Sequence, residues 1–80
     1  MPVVLRYRGF RFFFYSNEGE PREPVHVHVR GDGGEAKFWL RPVVHVAESR
    51  DLAARTLRDL TKVVEENVEL IERAWYEHFS

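Results

Sequence analysis

Residues 25–40, VHVHVRGDGGEAKFWL, constrain this chain more than any other stretch. Gly31-Asp32-Gly33-Gly34 is a tight-turn signal, and the alternation on either side of it is clean, so the segment predicts a β-hairpin. Closing the hairpin sets Arg30 against Glu35, His28 against Lys37 and His26 against Trp39 on one face. Val29 then meets Ala36, Val27 meets Phe38 and Val25 meets Leu40 on the other. Because strand side chains alternate, a slip of one residue would exchange the two faces, so the pattern itself fixes the register.

Val3 to Tyr7 and Phe10 to Tyr15 read as a second pair of strands, joined by a two-residue turn at Arg8-Gly9. That turn pairs Tyr7 with Phe10, Leu5 with Phe12 and Val3 with Phe14, a continuous apolar face. Val4, Arg6, Arg11, Phe13 and Tyr15 fall on the opposite side, where Arg6 lies unfavourably across from Arg11. Ser16 to Pro24 is a polar loop rich in turn formers. Pro42 ends the fourth strand, and Val43 to Ala47 is either a fifth edge segment or a link.

From about Asp51 the apolar period changes to that of a helix. Ala53, Leu57, Leu60, Val64, Ile71 and Trp75 share one stripe, broadened by Val63, Val68 and Phe79. Ser49 or Asp51 can cap its start. Asn67 sits where the stripe would drift, so one long helix and two shorter ones both fit. A sheet with one apolar face needs a cover, and the helical segment supplies it. The expectation is a single two-layer α+β domain: an antiparallel sheet of four or five strands in residues 1–47, with C-terminal helices from residues 48–80 packed on one face.

Eighty residues stand near the lower limit for a domain without staples. The absence of cysteine removes both a disulfide framework and a thiolate metal site, so stability must come from apolar burial. No run approaches the ~20 apolar residues of a membrane span. The opening MPVVLRYRG lacks the apolar core and cleavage site of a signal peptide. A soluble cytoplasmic protein with no membrane role is expected. A net charge of −1 argues against a strong, delocalised nucleic-acid binder.

If the apolar faces of both hairpins meet the helices, the other sheet face is defined by subtraction. It presents Arg6, Arg11, Phe13 and Tyr15 from the first hairpin, and His26, His28, Arg30, Glu35, Lys37 and Trp39 from the second. A surface so rich in arginine and aromatics is the candidate binding face. His26 and His28 can share a divalent metal, the one cofactor these residues admit. A zinc site needs a third protein ligand, for which Glu35, His45, His78 and the acids of the 16–24 loop are candidates, and Lys37 opposite His28 opposes a second cation there. Basic residues interleaved with aromatics also suit single-stranded nucleic acid. Catalysis has the least support: there is no Gly-x-Ser-x-Gly and no phosphate loop. His45 reads as an edge-strand residue, and His78 as a partner of a helix dipole.

Four stretches, GFRFFFYSNE (9–18), EPVHVHVR (23–30), GEAKFWL (34–40) and AWYEHF (74–79), resemble in that order the small bacterial family catalogued as domain of unknown function 4160. The family usually has a second proline before its H-x-H, where this chain has Val25, and a small polar residue opening its helix, where this chain has Ala53. The resemblance carries His26, His28, Lys37, Phe38, Trp39 and Trp75 as motif positions. It implies no activity. Members resemble partners in compact two-gene cassettes of the toxin–antitoxin kind, which points to a protein partner or a second copy of the chain.

Overall fold

The computed structural model describes residues 2–16 and 23–79. Five antiparallel strands lie in one open sheet in the order of the chain. They are β1 (Val3–Tyr7), β2 (Phe10–Phe13), β3 (His26–Gly31), β4 (Gly34–Trp39) and β5 (His45–Arg50), followed by α1 (Ala54–Glu66) and α2 (Val68–His78). The α+β architecture is the one the sequence predicts.

Both hairpins close through pairs of residues with positive φ: Arg8 and Gly9 at 46° and 83°, Asp32 and Gly33 at 51° and 77°. This turn geometry matches the twist of the flanking strands. The second hairpin has the expected register, residue for residue from His26–Trp39 to Arg30–Glu35. The first departs at one place: Val3 pairs with Phe13 and not with Phe14, because the register shifts between Val3 and Leu5. The extra residue is a bulge, which re-aims the strand locally. Val4 packs against the core, while Val3 is 38% exposed.

A second correction concerns the far edge. β5 runs to Arg50, past the Ala47 boundary read from the sequence, so Ser49 is a strand residue and caps nothing. The ladder shifts between Lys37 and Phe38, whose partners are Glu48 and Val46, leaving Ala47 as the extra residue. His45, Glu48 and Arg50 thereby align with Trp39, Lys37 and Glu35. Both edge strands thus carry a bulge, a feature that discourages pairing with another sheet.

Asp51 takes a positive φ of 59° in the turn after β5, and α1 starts from an extended Ala53 with no side-chain cap. Ala53 is exposed and lies off the buried stripe. The helical segment breaks at Asn67, with φ −124° and ψ 21°. Its side-chain amide donates to the Val63 carbonyl at 2.8 Å, meeting an acceptor that the break would otherwise strand.

One core lies between sheet and helices. Phe10, Phe12, Val27, Val29, Phe38 and Leu40 meet Leu60, Val63, Val64, Ile71 and Trp75. At the sheet's end Phe14 packs edge-to-face on Trp75, with ring centroids 5.2 Å apart. Arg41, just after β4, grips α2 through two bonds to Glu72, each of 2.7 Å.

Hydrogen bonding to Arg41, with its charge, holds the Glu72 carboxyl below its ordinary value of 4.5. A depressed native pKa means that the folded state binds fewer protons. The contribution is therefore complete above that ordinary value and is lost as pH falls through the native pKa. The effect is small, because the Arg41 side chain is 60% exposed and such pairs are screened. Between about pH 6 and about pH 3, the urea midpoint should fall less in Glu72→Gln than in the parent chain. Equal falls would mean that the pair contributes nothing.

Candidate functional site

The sheet face away from the helices is built in cross-strand rows. One row crosses all five strands: Arg6 opposite Arg11, Arg11 opposite Arg30, Arg30 opposite Glu35, and Glu35 opposite Arg50. The next holds Phe13, His28, Lys37 and Glu48. A third holds His26, Trp39 and His45. Alternation on each strand, corrected for the bulge at Ala47, places these residues on the same side.

The arginine row is partly neutralised at one end. Glu35 accepts hydrogen bonds from Arg30, at 3.3 Å, and from Arg50. Arg50, reinforced by Arg30, holds the Glu35 carboxyl below its ordinary value. Arg30 also donates to the Tyr15 hydroxyl at 3.1 Å. Arg6 and Arg11 are exposed, with no ion-pair partner among the described residues.

The aromatic residues are more enclosed than subtraction implied. Phe13 is 1% exposed, covered by a stacked His28 at 5.7 Å, by Tyr15 edge-on at 5.2 Å and by the Arg30 guanidinium. Trp39 is half-buried, with the Lys37 ammonium 4.4 Å from its ring centroid. Lys37 also lies 3.9 Å from Glu23. Ring faces that would stack nucleic-acid bases are thus already packed, and charge dominates what the face offers. Between the first two rows a hollow of about 420 Å³ is lined by Phe13, Tyr15, His28, Lys37, Glu48 and Arg50.

His26 and His28 do come together, their rings meeting edge-to-face at 5.2 Å. His26, however, is completely buried. It lies 4.8 Å from Trp75 and 5.2 Å from Trp39, centroid to centroid, so the end of the core closes over it. Its Nδ1 is 2.9 Å from the Pro24 carbonyl, which can only accept, so Nδ1 carries the proton. Among the described residues no three His, Cys, Asp or Glu side chains converge as a metal group would require. Of the third-ligand candidates, Glu35 is held by arginines. His45 donates its Nδ1 proton to the Val43 carbonyl at 2.7 Å. His78 packs on Phe79 at 4.5 Å. Glu18 and Glu20 of the loop lie outside the described residues.

Sequence reasoning missed Arg50 and Glu48 as members of this face. The signal was present as His45, Glu48 and Arg50, but the bulge at Ala47 breaks the period-2 pattern that would have joined them.

Residues 9–76 match the family described as Domain of unknown function (DUF4160), and the chain belongs to that family. No curated protein and no solved structure matches the chain. No described helix is long and apolar enough to cross a membrane.

Proposed function

We propose that this member of the family is a cytoplasmic binding module that holds a protein partner against the open face of its sheet. One observation carries the reading: four arginines and one glutamate form a single row across all five strands, on the face that the helices leave uncovered. Arginine and the aromatics behind it are the residues that concentrate binding energy at protein interfaces. The bulged edges argue that association uses the face and not strand addition. The resemblance to two-gene cassettes of the toxin–antitoxin kind makes the product of a neighbouring gene the first partner to test, with a second copy of the chain next.

Purification of the chain from its own cells, with quantitative mass spectrometry, tests this. A partner should be enriched with the parent chain and reduced at least about tenfold with Arg11→Ala/Trp39→Ala, in line with interfacial hot spots. It should be retained with Arg58→Ala, an exposed change on α1. The same set of proteins from all three would remove the face from the function.

A further inference from the structure

Arg6, Arg11 and Arg30 stand opposite one another on three adjacent strands, and like charges so placed cost stability. Among the described residues this is offset at one end only, where Glu35 takes both Arg30 and Arg50. Resting on the reading that a protein covers this face, we propose that the partner contributes an acidic helix laid across the strands. Its carboxylates are held by Arg6, Arg11 and Arg30.

Three features of the sheet face select that occupant. The first is charge: two exposed arginines without an ion-pair partner among the described residues adjoin a third, and a guanidinium recognises a carboxylate through two parallel bonds. Glu35 shows how a carboxylate sits in this row, between arginines of the strands on either side of its own pairings. The second is spacing. Strands step by about 4.8 Å, while acids three or four apart on a helix lie about 5–6 Å apart. A helix crossing the strands therefore meets roughly one arginine per turn. The five strands span about 19 Å, the length of about thirteen helical residues. The third is layering. The chain's own helices pack on the opposite face, while Arg6 and Arg11 are exposed on this one, so a helix laid across the strands would form a second layer there. By the same geometry Glu35 is the rival of the incoming acids, because it occupies two of the row's four arginines.

The test uses a fluorescein-labelled helical peptide of about thirteen residues, with glutamates three and four apart on one side and leucines beside them. Its binding is read by fluorescence anisotropy, against a permuted peptide of the same composition and a single-stranded oligothymidylate of equal charge. The patterned peptide should bind at least about tenfold tighter than the permuted one, and Arg11→Ala should weaken it by about tenfold, on the scale of an interfacial arginine. Glu35→Gln should tighten it about threefold by releasing Arg30 and Arg50. Arg11→Ala should also raise the thermal midpoint, since it removes a like-charge contact.

Equal binding of the two peptides, or an Arg11→Ala variant that binds like the parent, overturns the acidic helix. Tighter binding of the oligothymidylate overturns it in favour of nucleic acid. If the peptide fails while the cellular partner is still lost with Arg11→Ala/Trp39→Ala, the acidic helix falls and the protein-binding face stands. If that partner is not lost either, both fall.

Discussion

Trp75→Ala should remove most of the chain's stability. Trp75 is 2% exposed and joins three parts of the molecule. Its ring lies 5.2 Å from Phe14 beyond β2, 4.8 Å from His26 at the start of β3 and 4.3 Å from Phe79 after α2. Truncating a buried tryptophan costs about 3–5 kcal/mol, because the transfer energy is lost and a cavity remains. An 80-residue domain has roughly 4–12 kcal/mol of total stability by the usual per-residue range, and a small core puts it toward the lower end. The void would also expose His26 to solvent from the core side, so the loss reaches the central strand as well as α2. Urea denaturation followed by far-UV circular dichroism reads the change. Tyr76→Ala, one residue along but 56% exposed, should cost less than about 0.5 kcal/mol. If the two substitutions had similar effects, α2 would not dock on the sheet through Trp75.

The same residue shows where sequence reasoning stops. Trp75 was legible as core from its place on a helical stripe, and His26 as a face residue from alternation on its strand. Their contact was not legible. It depends on where the end of α2 lands relative to the end of the sheet, and no local period encodes that distance. His26 therefore looked like an exposed ligand candidate and is instead a buried ring with its Nδ1 bonded to Pro24. The second hairpin was readable to the residue because both its faces alternate and its turn permits one register. The edge strands were less so, since one extra residue reverses the inward and outward pattern beyond it. At Val4 the reversal exchanged a core residue with an exposed one. At Ala47 it concealed the second half of the edge strand and, with it, the arginine that completes the row.

The arginine row also illustrates a conflict between stability and surface chemistry. Arg6 opposite Arg11 was visible in the sequence as an unfavourable pair, and the fold makes it worse by adding Arg30 alongside. Among the described residues Glu35 is the only acid in the row, and it serves the two arginines farthest from Arg6. Conflicts between local rules and the fold concentrate at functional sites, and this one lies on the face opposite the helices.

Gly34→Ala should be the most damaging change at either turn, and damaging for a reason unrelated to backbone freedom. Gly34 opens β4 and is buried. A Cβ placed there would press on the backbone carbonyl of Asp51, lie 2.6 Å from that of Arg50 and lie 2.7 Å from the Leu52 side chain. Two of those neighbours are main-chain atoms, which cannot rotate away. The strand must move instead, at a cost of about 3 kcal/mol, the upper part of the range for overpacking. Gly33→Ala is the contrast. It has a φ of +77° but nothing within 4 Å of its Cβ, so it meets only the left-handed penalty of about 1–2 kcal/mol. The two losses also differ in place. Gly34→Ala pushes apart β4 and the end of β5, so amide exchange should accelerate through residues 45–50 and the Glu35–Arg50 pair should open. Gly33→Ala should lower stability while leaving that strand as protected, relative to the whole, as before. Hydrogen exchange resolved by residue separates them. Uniform acceleration in both variants would mean that the close approach of Gly34 to the Arg50–Leu52 turn does not hold the fifth strand.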